Sequence, residues 1–230
     1  MLFRSGDSGD DTGLTAFGEQ LVTAMNDSGI MVDLSHVGRR TGLEALEASK
    51  APVIASHSSA SAVFKNSRNL DDEQLCAIRD KGGVAQMCAF RGYLGAADPA
   101  ISSALAELRN RLGLSSPSNA LNTSPQQLEA FRRERAEIYS KHEDITVKHF
   151  VDHIDHAVKT IGIDYVGIAS DFDGGGGIGG WDSVDESPNV TLELLRRSYD
   201  EADLEKLWGG NIMRVMHEVQ ARASIHHNPI

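Results

Sequence analysis

The sequence predicts an α/β fold built on a parallel sheet. Three observations carry that expectation. Short apolar runs at 30–35, 53–56, 84–90 and 165–169 alternate with amphipathic helical stretches, the pattern that crossover connections impose. The first two runs, IMVDLSH and PVIASH, each end in Ser-His. The fourth ends in SDFDGGGG, so an acid stands where the others carry imidazole. Strand exits are where a barrel or an open α/β sheet builds its site.

The chain has 230 residues, enough for one large domain or two small ones, and its 40% hydrophobic and 24% charged content is that of a globular protein. A net charge of −11 argues against a nucleic-acid partner, which requires a basic face. Cys76 and Cys88 lie in apolar contexts and read as small buried hydrophobes rather than a disulfide framework. No run reaches the length of a membrane span. The opening MLFRSGDSGDDTG has no apolar signal core and reads as a loop entered midway, so the default address is cytoplasmic.

Taken in order, Leu14, Phe17, Leu21, Val22 and Met25 recur at helical spacing and predict a helix over 14–26, stopped by Asn26-Asp27-Ser28-Gly29. The strand 30–35 follows. Thr41 with Glu44 reads as a capping box opening a helix over 42–49, and Pro52 admits the strand 53–56. Residues 65–69 are a loop. Asp71 and Gln74 cap a helix carrying Leu75, Cys76 and Ile78, which Gly82-Gly83 ends before the strand 84–90. Residues 91–145 differ in character: a weak helix near 101–112, a Ser/Pro/Asn-rich linker over 113–125 and a charged helix near 126–140. A connection that long is usually functional or an insertion. An amphipathic helix over 146–161 leads to the strand 165–169, and helices near 190–198, 201–208 and 211–222 close the chain.

One histidine at a strand end is usually structural. Two at equivalent positions of consecutive βα units, His36 and His57, point to metal ligation, since neutral imidazole is the commonest metal ligand. Asp171 follows the fourth strand in the same way and reads as a proton acceptor, whereas Asp173 reads as an organiser of the glycine turn. The glycine run contains G-x-G-x-x-G (Gly174, Gly176, Gly179), but WDSVDESP follows it instead of a helix, so it reads as a flexible loop over the site and not as a nucleotide motif. His149, His153 and His156 share one helix face, opposite the apolar stripe, and are expected to face solvent or a polar interface. Loop arginines are usually solvated, yet Arg68, just past the second strand's exit, has a guanidinium suited to clamping a carboxylate.

GLTAFGEQLV, VDLSHVG, PVIASHSSA, the Arg68-Asn69 pair, HFVDHIDHAV, GIDYVGIASDFDGGGG and GGNIMRV together resemble, in this order, the C-terminal part of the membrane (renal-type) dipeptidase family. The resemblance covers nearly the whole chain except the insertion. It implies an amidohydrolase-like (β/α)8 TIM-type barrel using two zinc ions, bridged by a glutamate and a hydroxide, to cleave dipeptides. By motif, His36 and His57 match the histidines of the second zinc, Asp171 the catalytic aspartate, and Arg68 the arginine that holds the substrate carboxylate.

The family's first-zinc His-x-Asp pair, its bridging glutamate and a further substrate histidine belong to its first half. The strings His142–Asp144 and His153–Asp155 occur here, but neither lies at a strand exit. Four βα units are half of the eight a closed barrel needs. The chain therefore reads as a single incomplete metallohydrolase barrel domain over 1–230, the C-terminal half plus closing helices, with an insertion near 91–145. Two unpaired sheet edges imply a homodimer or a complementary N-terminal half. The expected function is zinc-dependent dipeptide hydrolysis, impaired in this chain alone. The alternatives are a non-catalytic interaction module of the same fold, or a related amidohydrolase acting on another amide or a lactone.

Overall fold

A computed structural model describes residues 11–96, 98–115, 123–142 and 145–223. The opening 1–10, the middle of the linker (116–122) and Asp144 of the first His-x-Asp string lie outside the described residues.

Four strands, β1 (Val32–Asp33), β2 (Val53–Ala55), β3 (Val84–Cys88) and β4 (Val166–Ala169), form one parallel sheet in the order β1-β2-β3-β4. Val32 pairs with Val53, Ile54 with Val84, and Ala85 with Val166. The strands at the two ends of this order are β1 and β4, as the four-unit reading required. β1 is shorter than the expected 30–35. The Ile30 amide still closes the end of the preceding helix on the Met25 carbonyl, and the Asp33 carboxylate bends the chain by taking the Ser35 amide.

Helices α1 (Ala16–Asp27), α2 (Arg39–Ala48), α3 (Asp72–Asp80) and, later in the chain, α7 (Val147–Ile161) cover one face of the sheet. Val32, Val53, Ala55, Ala85, Met87, Val166 and Ile168 meet Leu46, Leu75, Ile78, Phe150, Val151 and Ile154 in the main core. Each of these side chains larger than alanine contributes roughly 1.5–3 kcal/mol when removed from water. Strand side chains alternate, so Ile54 and Val84 face the opposite way. There Val215 and Val219 of the last helix, α10 (Asn211–Ala221), cover them.

The capping box expected at Thr41 and Glu44 is not formed. α2 starts at Arg39 with Gly38 as its N-cap, and its free amides are satisfied from a distance. Asp11 accepts from the amide of Arg40 and from both the amide and hydroxyl of Thr41. Gly38 leaves room for this, since a Cβ there would lie 2.5 Å from the Asp11 carboxylate. Glu44 instead takes the Leu14 amide and pairs with Arg40. The Asp71–Gln74 capping box is present as expected.

Between β3 and α7 lie α4 (Arg91–Leu94), α5 (Pro99–Arg111) and α6 (Pro125–Ser140). α6 has no fully buried residue and is held by polar contacts: Gln127 donates to the Leu112 carbonyl, Glu134 pairs with Arg111, and Tyr139 stacks 3.6 Å from the Arg91 guanidinium. The chain closes with α8 (Ser187–Arg196), α9 (Glu201–Glu205) and α10. Arg197 fastens α8 to α7 through Asp152, Asp155 and Glu193.

The histidine face of α7 departs from expectation at one position. His153 is fully buried, not solvent-facing. Its Nδ1 accepts from the Ala60 amide at 3.0 Å and its Nε2 faces the Leu94 carbonyl, so it ties the loop after β2 to the helix. His156 does meet a polar partner, Asp72 at 2.7 Å. Cys88 is buried, while Cys76 is only partly so. Among the described residues no helix is long and apolar enough to cross a membrane.

Candidate metal centre

The exits of β1, β2 and β4 converge at one end of the sheet. His36 lies three residues past β1, His57 two past β2 and Asp171 two past β4. The two imidazoles meet with their Nε2 atoms 2.8 Å apart and ring centroids at 4.8 Å. His36 and Asp171 both adopt left-handed backbone conformations, at φ 65° and 54°. Ser198 is the one other non-glycine residue with positive φ among those described. Such conformations cost of order 1–3 kcal/mol and concentrate at functional sites.

The backbone beneath the pair is strapped by short polar side chains. Asp33 Oδ1 accepts from the amides of Ser35 and Ser56, each at 3.0 Å, and Oδ2 accepts from the Ser56 hydroxyl at 2.5 Å. Ser56 Oγ is 2.7 Å from His57 Nδ1, and the His57 amide donates to Ser35 Oγ at 2.9 Å. Burial holds the His57 imidazole below its ordinary pKa. The charges of His36 and Arg68 push the same way, while Asp171 and Asp33 oppose. The imidazole is therefore neutral near pH 7, as a metal ligand must be.

Asp171 is wrapped by its own glycines. Its carbonyl accepts from the amides of Gly174 and Gly176 at 3.0 and 2.6 Å. A Cβ on Gly174 would lie 2.1 Å from the Asp171 carboxylate, and one on Gly176 would lie 2.0 Å from the Ser170 carbonyl. The glycines are thus a steric requirement of the turn that presents the acid. The Asp171 carboxylate acts electrostatically on both His57 and Cys88. Burial, reinforced by that charge, pushes the Cys88 thiol up to about 12, so it stays protonated.

Arg68 is buried, with its guanidinium 5.1 Å from the Tyr93 ring centroid, and its charge is felt at His57. It lines a cavity of about 180 Å³ shared with Leu34, Val37 and Ser58, which flank the two histidines. The structure thus brings His36, His57, Asp171 and Arg68 to one end of the sheet, while Asp155 of the second His-x-Asp string instead holds Arg197 and Tyr199.

Zinc–imidazole bonds of about 2.0–2.1 Å at a tetrahedral angle place their nitrogens about 3.3 Å apart. The observed 2.8 Å is about half an ångström closer, so the two rings would have to part by that much to share such an ion. Among the described residues no group of three or more His, Cys, Asp or Glu side chains is placed to hold a metal. Asp33 and Ser56 escaped the reading of the sequence. The available signal was an acid inside an apolar strand, a costly placement unless several donors meet it.

The sequence profile of the membrane dipeptidase family (peptidase family M19) matches residues 3–229. Dipeptidase tcpJ of Claviceps purpurea is 32% identical over 209 residues, covering 90% of this chain and 39% of that protein. Dipeptidase 3 of Rattus norvegicus is 31% identical, covering 91% of this chain and 34% of its own length. The crystal structure of the probable dipeptidase PvdM from Pseudomonas aeruginosa superposes with a TM-score of 0.73 at 38% identity, covering 92% of this chain and 56% of that one. A metallopeptidase from Rhodobacter sphaeroides, solved with a phosphinate mimic of the dipeptide L-Ala-D-Ala, gives a TM-score of 0.68 at 28% identity, with 94% and 49% covered. The chain spans little more than a third of these curated relatives and about half of the solved chains, and its four parallel strands correspond to half of a TIM-type barrel. From the profile match and these likenesses, the chain belongs to the membrane dipeptidase family of metallopeptidases.

Proposed function

We propose that this chain carries the histidine part of a zinc-dependent dipeptidase site. In this reading His36 and His57 hold one zinc ion, Asp171 accepts the proton of the attacking water, and Arg68 receives the substrate's C-terminal carboxylate. The observation that carries it is the 2.8 Å approach of two Nε2 atoms at adjacent strand exits. When bound, zinc supplies a Lewis acid that polarises the scissile carbonyl and lowers the pKa of water. The residues supply the rest. Ser56 and Asp33 orient His57, the glycine turn aims Asp171, and the buried Arg68 offers a positive charge beside the site. The dipeptide mimic bound by the Rhodobacter sphaeroides relative supports a dipeptide as the substrate class.

Catalytic zinc usually takes three protein ligands and a water, and the proposed pair supplies two. The proposal therefore includes weak zinc binding and little or no hydrolysis by this chain alone. It treats residues 1–230 as one incomplete barrel domain. The sheet edges at β1 and β4, the ends of the strand order among the described residues, are then closed by a second copy or by an N-terminal half that brings the remaining ligands and a second zinc.

The test is dipeptide hydrolysis with added zinc, by the chain alone and after coexpression with the N-terminal half of a relative. Little or no turnover alone and recovery on complementation are expected. Arg68→Ala should then raise KM for dipeptides with a free carboxylate and leave their C-terminal amides unaffected. A complemented complex that binds zinc but hydrolyses nothing would favour a non-catalytic module. Equal turnover of amides and free dipeptides would favour a different amidohydrolase.

A further inference from the structure

The Asp33–Ser56–His57 chain fixes where one proton sits. A carboxylate only accepts hydrogen bonds. Ser56 has one hydroxyl proton, and Asp33 Oδ2 takes it at 2.5 Å. Towards His57 Nδ1, 2.7 Å away, Ser56 Oγ is therefore left as an acceptor, and Nδ1 must carry the hydrogen. A neutral imidazole has a single ring proton. His57 Nε2 is then a bare lone pair, and it is the atom 2.8 Å from His36 Nε2. From this geometry we infer that Asp33 and Ser56 are positioning residues that lock His57 in the Nδ1–H tautomer, the one whose Nε2 can hold a metal ion. The inference rests on the proposed zinc role of the histidine pair.

The placement supports more than a loop clamp. Asp33 pairs in register with Ile54, so it shares with Ser56, two residues on, the sheet face opposite the one packed by α1, α2, α3 and α7. Both of its oxygens are engaged, and the Oδ1 partners are backbone amides that stay in place whatever residue 33 is. Those two amides dictate how asparagine would sit there. Its carbonyl oxygen must take the Oδ1 position and its NH2 group the Oδ2 position. The amide would then donate to Ser56 Oγ. Ser56 would turn its proton to His57 Nδ1, and the proton of His57 would move to Nε2. Asp33→Asn thus keeps every hydrogen bond and reverses the direction of the proton chain. A residue serving only to brace the loop would show no such reversal.

The experiment uses the full chain, metal-free and 15N-labelled, at about pH 8, where imidazole is neutral. Long-range proton–nitrogen spectra read the His57 tautomer directly, and calorimetric titration with zinc chloride reads affinity. The wild type is expected as Nδ1–H. Asp33→Asn is expected as Nε2–H, with zinc affinity reduced about tenfold or more. Ser56→Ala removes the link without touching Asp33 and is expected to give a tautomer mixture and a smaller loss of affinity. It serves as the second variant if Asp33→Asn fails to fold by circular dichroism. An Nε2–H wild type, an Asp33→Asn protein that stays Nδ1–H, or a Ser56→Ala protein that remains wholly Nδ1–H overturns the inference. Correct tautomers in a protein that binds no zinc overturn the zinc reading instead, which keeps the two failures distinct.

Discussion

Acidification from pH 7 to pH 5 is expected to cost the fold about 2 kcal/mol through His153 alone. The side chain is fully buried on α7. Burial holds its pKa at about 4 against an ordinary 6.5; the Leu94 carbonyl and Asp152 pull it up, and His156 and His149 pull it down. The native imidazole is therefore neutral where the unfolded one takes up a proton. Between pH 6.5 and about 4 the unfolded chain binds more protons, so stability falls as the pH falls. The slope in that window is about 1.4 kcal/mol per pH unit, and above 6.5 the contribution is fully present. Urea unfolding followed by the fluorescence of Trp181, which is buried, measures this at both pH values. The comparison protein is His153→Asn, whose Oδ1 replaces Nδ1 as acceptor for the Ala60 amide and does not titrate. It should be less stable than the wild type at pH 7, with the gap narrowing by about 2 kcal/mol at pH 5. Parallel stability curves for the two proteins would refute the reasoning, because the wild type would then carry no buried neutral imidazole.

Asp11→Ala removes three acceptor contacts from the start of α2 and should lower stability by about 1–2 kcal/mol in urea unfolding. Burial alone would raise the Asp11 carboxyl. The amides of Arg40 and Thr41 and the Thr41 hydroxyl outweigh it and hold the pKa below the usual value. Its stabilisation is therefore present above the ordinary aspartate range and fades as pH drops through the lowered pKa, so wild type and variant should converge in acid. Gly176→Ala forces a Cβ to within 2.0 Å of the Ser170 carbonyl and should destabilise by about 1–3 kcal/mol; an unchanged unfolding midpoint would mean the glycine turn yields freely. A thiol reagent at pH 8 should label Cys76 and spare Cys88 until the protein is unfolded, and two rapidly labelled thiols would contradict the burial of Cys88.

Strand exits were readable because they combine two local signals, an apolar run and a polar terminus. IMVDLSH, PVIASH and SDFDGG suffice to put His36, His57 and Asp171 at one end of a parallel sheet. The helix over 146–161 and the Asp71 cap were equally local, and both formed. What escaped depends on distant partners. Thr41 and Glu44 satisfy the capping-box pattern, but Asp11, about thirty residues earlier, outcompetes it with a carboxylate that reaches two amides and a hydroxyl. His153 shares a face with His149 and His156, yet the loop carrying Ala60 folds over it alone. Asp33 was hidden for the same reason: beyond the local Ser35 amide, its partners are the amide and hydroxyl of Ser56 at the next strand exit, and only the register of β1 on β2 brings Ser56 beneath it.

Zinc titration of the 15N-labelled chain, read at the ring nitrogens of His36 and His57, tests the metal pair most directly. Both Nε2 signals should shift together and saturate at one ion per chain. Dialysis should strip that ion, as two protein ligands imply, and either His36→Ala or His57→Ala should abolish the effect. Zinc that binds while both rings stay unmoved would contradict the pairing of these two histidines as its ligands.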